Sequence, residues 1–189
     1  MNQVDQHLLS ALPTPGDWQP TDLRRAAVFC PIVKQSGEDH LLFVVRPMST
    51  QSHPGQIAFP GGMQQAAETP VQTALRECTE EIGIPAAQMT PLGELTPRKS
   101  TSQIHVHCVV GRISNCELRL DPREVARVIH IPVEELRDAT RWQEKPPPVG
   151  SLGKQPATSP HFVSGDDVLW GLTARFTREL MKVLDEQTS

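Results

Sequence analysis

Residues 62–84 read GMQQAAETPVQTALRECTEEIGI, and the fold is decided by how this stretch divides into loop, helix and stop. Thr69 offers a hydroxyl as N-cap, Pro70 suits the first helical position, and Gln72 completes a capping box, so a helix is predicted over 70–82. Gly83 ends it, as a residue free to take positive φ should. Within that helix Val71, Ala74, Leu75, Cys78 and Ile82 recur at helical spacing and form a face to be buried. Glu77, Glu80 and Glu81 share another face at i, i+3 and i+4, where like charges repel by a few tenths of a kcal/mol per pair. Taken alone, such a face reads as a solvated acidic patch. The alternative is a divalent cation, for which hard carboxylate oxygens suit Mg²⁺ or Mn²⁺.

Outward from the helix, two β-prone runs, 26–33 and 41–46, flank Gln35-Ser36-Gly37-Glu38, a hairpin turn by composition. A short strand at 56–59 leads into Pro60-Gly61-Gly62. Further strands are expected at 89–95, 104–113 and 125–131, then a short helix at 133–138 and an amphipathic helix at 172–184 with Leu172, Phe176, Leu180, Val183 and Leu184 in one stripe. Strands interspersed with few helices predict a mixed sheet covered by helices on its faces. Residues 1–24, with a short helix at 4–12 and the breaker-rich PTPGDWQP, read as an N-terminal arm; the domain is expected over 25–189. Residues 143–160, EKPPPVGSLGKQPATSPH, read as a surface loop too rich in Pro, Gly and Ser to pack.

The chain has 189 residues, enough for one domain with a sizeable core. A net charge of -4 gives no general attraction to nucleic acid, so an anionic ligand must be held by metal ions or a few basic residues. With no apolar run of membrane-spanning length and no secretory-type start, no membrane association and a cytoplasmic address are expected. Cys30, Cys78, Cys108 and Cys116 show no C-x-x-C spacing and read as free thiols. His105 and His107 alternate on a strand and face one side, but two histidines do not supply the four ligands of a structural zinc site.

The carboxylates sit inside a longer pattern: Gly62, five residues, Glu68, seven residues, then Arg76-Glu77-Cys78-Thr79-Glu80-Glu81-Ile82-Gly83-Ile84. This resembles the Nudix box, G-x5-E-x7-R-E-U-x-E-E-x-G-U, with Cys78 in place of the first bulky apolar residue. Seven fixed residues at about 7% usage each coincide by chance with odds on the order of one in a million. The resemblance implies an α/β protein of the Nudix type, an α/β/α sandwich with a mixed β-sheet between helices, that hydrolyses a pyrophosphate bond with Mg²⁺ or Mn²⁺ as cofactor. It further implies metal ligation by Glu77, Glu80 and Glu81, with the Gly61 carbonyl as a further ligand, and structural roles for Gly62, Glu68, Arg76 and Gly83. Candidates for the base are Glu80 and Glu124, the latter opening EVARVIHIPVEEL, which resembles a segment that supplies an acidic residue to many Nudix sites.

Residues 41–62, LLFVVRPMSTQSHPGQIAFPGG, resemble the added motif of the coenzyme A-cleaving Nudix subfamily through Leu42, Arg46, Gly55, Phe59, Pro60, Gly61 and Gly62. Val44, Pro47 and Gln51 depart from it, Gln51 standing where the motif has Arg. The tail VLWGLTARFTREL is also similar. The implied partner is a small-molecule diphosphate: coenzyme A, cut to 3',5'-ADP and 4'-phosphopantetheine. Its phosphates would need basic company, for which Arg24, Arg25, Arg46, Arg98 and Lys99 are available, while His53 and Gln56 belong to a turn expected to line the site. The rival readings are another nucleoside diphosphate derivative such as ADP-ribose, and a non-catalytic module that senses a nucleotide. Monomer and homodimer both remain open.

Overall fold

The computed structural model describes residues 2–50, 54–114, 117–148, 151 and 156–186. In chain order the first half holds α1 (Gln3–Ala11), β1 (Arg24–Gln35), β2 (Glu38–Val45), β3 (Ile57–Ala58), β4 (Gly61–Met63) and α2 (Pro70–Ile82). The second half holds β5 (Met89–Lys99), β6 (Ile104–Ile113), β7 (Arg127–Pro132), α3 (Val133–Arg137), β8 (Trp142–Lys145), β9 (Ser159–Ser164), β10 (Asp167–Trp170) and α4 (Gly171–Asp185).

β1 organises the main sheet. It runs parallel to β6 and antiparallel to β2 and β4; β5 lies beyond β6, while β3 and β7 flank β2. The sheet is therefore mixed. The β1–β2 hairpin closes through Ser36 and Gly37, at φ 51° and 89°, a two-residue turn whose left-handed residues match the twist of the strands.

Strand periodicity sorts side chains into two cores. Ala26, Cys30 and Ile32 of β1 and Leu41, Phe43 and Val45 of β2 pack with Leu8 of α1 and Leu180 and Leu184 of α4. Ala27 and Phe29 of β1 and Leu42 and Val44 of β2 pack on the opposite side against Ala74, Cys78 and Ile82 of α2. Each large side chain buried this way contributes about 1.5–3 kcal/mol. The α/β/α sandwich expected from the sequence is the observed arrangement, and the central sheet presents one fixed face to α2.

α2 has the bounds and caps expected of it. The Thr69 hydroxyl accepts the Gln72 amide, the Gln72 side chain accepts the Thr69 amide, and Gly83 takes the left-handed conformation at φ 74°.

Two expectations differ from the structure. The first helix does not stand apart as an arm: Leu8 is fully buried, and Asp5 bonds Arg112 of β6 at 2.9 Å through Nε. One apolar residue per turn sufficed to seat it, too weak a pattern to read beforehand. The 143–160 segment is not loop throughout, since its ends pair as β8 and β9 with Lys145 opposite Ser159. β9 continues into β10, giving a separate three-stranded sheet that lies beside β3. Residues 149, 150 and 152–155 of that segment, and Cys116, lie outside the described residues. The thiols of Cys30, Cys78 and Cys108 are buried, and none of the three is in a disulfide.

Candidate active site

The C-terminal half of α2 directs two carboxylates at the β3–β4 junction. Glu81 is only 3% exposed, and its Oε2 accepts the Gly61 amide at 3.2 Å. Burial pushes its pKa up to about 8; the positive charge of Arg46 and the Gly61 hydrogen bond oppose that rise, and the like charges of Glu77 and Glu124 add to it. Glu77, one turn earlier, is also raised, again chiefly by burial.

Glu124 is brought to them by backbone stitching. The amides of Arg119 and Asp121 bond the carbonyls of Ile82 and Glu81 at 2.9 and 3.0 Å, and a tight turn from Asp121 carries the chain to Ala126, whose amide bonds Val45 at 2.8 Å. Carboxylate oxygens of Glu77, Glu81 and Glu124 consequently lie within 4.8 Å of one another. Among the described residues this is the one group of three or more His, Cys, Asp or Glu side chains so converged.

Arg76 holds the loop of residues 63–69 against α2. Its guanidinium donates to Glu68 Oε1 at 2.7 Å and Oε2 at 3.1 Å, to the Met63 carbonyl at 3.0 Å, to Glu77 at 2.7 Å and to Glu80 at 3.0 Å. The bidentate pairing holds the Glu68 carboxyl down to about 2, with the Gln65 amide and the Thr73 hydroxyl also donating to it. Gly62 faces Glu77 directly: a Cβ there would stand 2.5 Å from the Glu77 carboxyl carbon. Gly83 turns the chain past Arg119, whose Cβ would meet an added methyl at 2.6 Å.

The remaining sequence candidates fall at different distances from this cluster. Glu80 is half-exposed, and its carboxylate is taken by Arg76 outside the group of three. Gly61 meets Glu81 through its N–H. Arg46 is close enough for its charge to act on Glu81, and it is tied to Gln56 and Gly55 by backbone hydrogen bonds of 3.1 Å each. Gln56 extends towards the start of α4 at Gly171. Arg98 is engaged elsewhere, donating to Glu179 of α4 at 2.5 Å with its guanidinium 5.8 Å from the Phe176 ring. Lys99 is exposed at the end of β5, and His53 lies outside the described residues. His107 bonds the Glu94 carboxylate through Nδ1, and among the described residues no group of three His, Cys, Asp or Glu ligands converges on it and His105. Sequence reasoning missed Trp18, whose indole N–H donates to the Glu68 carbonyl at 2.5 Å. Its one signal was a large aromatic residue within a run of chain breakers.

Three clustered carboxylates, one of them buried and driven towards its protonated form, are costly unless a cation joins them. The donor set is all oxygen, and the missing Cβ at Gly62 leaves the Glu77 carboxylate its room, so the residues present fit a hard divalent ion.

The NUDIX domain family matches residues 23–150. An uncharacterised Nudix hydrolase of Yersinia pestis, NudL, is 34% identical over 161 residues, covering 83% of this chain and 78% of that protein. Among solved structures, the NUDIX domain of Shewanella oneidensis NrtR complexed with ADP ribose shares the fold at a TM-score of 0.55 and 14% identity, covering 91% of this chain and 94% of that one. A C. elegans Ap4A hydrolase binary complex shares it at 0.51 and 21% identity, covering 60% and 82%. The box at 62–84, the sandwich that presents it and these likenesses agree: the chain belongs to the Nudix hydrolases, enzymes of phosphoric anhydride bonds that depend in general on divalent metal ions.

Proposed function

We propose that the chain hydrolyses the pyrophosphate bond of coenzyme A or its derivatives, giving 3',5'-ADP and 4'-phosphopantetheine, with Mg²⁺ or Mn²⁺ held by Glu77, Glu81 and Glu124. The observation that carries this reading is where Arg46, Gly61 and Gly62 lie relative to Glu77 and Glu81. The segment that resembles the coenzyme A motif contains Arg46, whose charge acts on Glu81, and ends in Gly61 and Gly62, which touch Glu81 and face Glu77.

Bound there, the cation would neutralise the diphosphate and lower the pKa of the attacking water. The protein's own groups do the rest. Arg46 offers a guanidinium beside the carboxylates for a phosphate oxygen. Glu124, the exposed member of the cluster, accepts the proton as water oxygen bonds to phosphorus and the bridging P–O bond breaks, its electron pair leaving with the departing phosphate. Glu80 is the alternative base, and its bond to Arg76 would have to open first.

Gln51, where the coenzyme A motif has Arg, favours a second reading, another nucleoside diphosphate derivative such as ADP-ribose. The neighbours solved as an Ap4A hydrolase complex and with ADP ribose are compatible with it. A sensor without catalysis would have no need of the carboxylates. Incubation with Mg²⁺ and a panel of coenzyme A, acetyl-CoA, ADP-ribose, NADH and diadenosine polyphosphates, with product identification, separates the three. 3',5'-ADP released fastest from a coenzyme A compound is the expected result. Preference for ADP-ribose overturns the substrate, and no turnover of any compound overturns the enzyme.

A further inference from the structure

The segment before β1 crosses the sheet and ends on the loop that carries Glu68. Its Pro13 carbonyl accepts the Glu94 amide of β5 at 2.9 Å, and the Gly16 amide donates to the Glu94 carboxylate at 3.4 Å. That carboxylate is buried and bonded to His107, which is 1% exposed. The ring of His107 meets Trp18 edge to face at 4.9 Å, and the Arg25 guanidinium lies 6.0 Å from the Trp18 ring centroid. With its ring placed between these neighbours, Trp18 directs its indole N–H at the Glu68 carbonyl, 2.5 Å away. The Gln64 side-chain amide shares that carbonyl at 3.0 Å.

From Glu68 the path to the carboxylate cluster is short. The side chain whose backbone Trp18 holds is the one that bonds Arg76, and the Nη1 of Arg76 bonds Glu77 at 2.7 Å. An indole N–H can only donate, and here it donates to the backbone of the residue whose side chain bonds Arg76. The ring is half-buried and packs against the core beneath α2, so the test has to remove the N–H while keeping the ring.

We infer that Trp18 is a positioning residue for the metal-binding carboxylates, acting through the Glu68 carbonyl and Arg76, with residues 13–18 serving as a strap anchored on the buried Glu94–His107 pair. The inference rests on the proposed reading of Glu77, Glu81 and Glu124 as the cation site.

The test measures Mn²⁺ affinity by calorimetry, and turnover against Mn²⁺ concentration, in the full-length protein. Trp18→Phe keeps a ring against His107 and removes the N–H. Its Mn²⁺ dissociation constant should rise about threefold to tenfold, the range expected for one hydrogen bond, and saturating Mn²⁺ should restore kcat. Trp18→benzothienylalanine, which keeps the bicyclic ring and lacks only the N–H, should do the same and carries the test if the phenylalanine variant folds poorly. Unchanged Mn²⁺ affinity in the benzothienyl variant, or a loss of kcat that saturating Mn²⁺ does not restore, overturns the inference. Glu81→Gln separates the two failures: if it binds Mn²⁺ as the wild type does, the site assignment itself falls; if it alone loses Mn²⁺, only the role of Trp18 does.

Discussion

Gly62→Ala should separate activity from folding. An added Cβ would lie 2.5 Å from the Glu77 carboxyl carbon and 2.5 and 2.6 Å from its two oxygens, whereas ordinary contact begins near 3.4 Å. The carboxylate must therefore recede by about 1 Å (3.4 less 2.5). Because the clash is with the end of a flexible side chain, the backbone need not move. The cost to the fold is the weakened Arg76–Glu77 ion pair, about 1 kcal/mol, or roughly 2–4 °C in Tm for a chain of this size. The cost to catalysis is larger, since a displacement of about 1 Å in a positioned group can remove a factor of about 10², equivalent to about 2.7 kcal/mol of barrier. Gly61→Ala is the contrasting case: its Cβ would meet the Ala27 carbonyl oxygen and the Val28 Cα at 2.5 Å, both backbone, so β4 must part from β1 and stability should fall first. Calorimetric Tm and kcat/KM on a diphosphate substrate measured for both variants check the reasoning. Wild-type kcat/KM in Gly62→Ala would refute it.

Two further outcomes follow from the charges at the site. Glu81→Gln removes a buried carboxylate that repels Glu77 and Glu124 and keeps an acceptor for the Gly61 amide, so with EDTA at pH 8 the variant should be more stable than the wild type by about 1–3 kcal/mol; a lower Tm in EDTA would contradict the burial argument. The Glu68 carboxyl has its folded pKa depressed from 4.5 to about 2, so its contribution is complete above the unfolded value and is lost as pH falls from about 4.5 to about 2. At one-fifth exposed, the pair merits about 1–2 kcal/mol after screening, and the stability difference between wild type and Glu68→Gln should shrink by that amount across the window in denaturant titrations. A difference independent of pH would assign the effect to packing.

What could be read from the sequence was local. Thr69, Pro70, Gln72 and Gly83 specify the ends of α2 through bonds made within a few residues, and the alternation of β1 and β2 sorts two cores without knowledge of their partners. The acidic face was legible for the same reason. What brings Glu124 beside Glu81 was not, because it depends on backbone hydrogen bonds between residues 119–121 and the end of α2, which carry no side-chain signature. The same holds for Arg98, by sequence either a phosphate ligand or one half of a salt bridge, which α4 supplies with Glu179 from 81 residues away. β9 and β10 went unread because their pairing partner β8 lies beyond a Pro-rich stretch, and Gly165 at φ 60° makes the turn between them. Composition marks the Pro-rich stretch and says nothing about what the residues on either side of it pair with.

The proposed function requires the carboxylates gathered by α2 and the 119–126 segment to support a divalent-metal-dependent hydrolysis of a diphosphate. The most direct measurement is steady-state turnover of coenzyme A by the wild type and by Glu81→Gln, each with Mg²⁺ and with EDTA. Turnover is expected from the wild type in Mg²⁺ alone, with Glu81→Gln reduced by at least about 10³-fold in kcat/KM, about 4 kcal/mol of lost transition-state stabilisation. Full activity in EDTA, or a Glu81→Gln variant that turns over like the wild type, would contradict it.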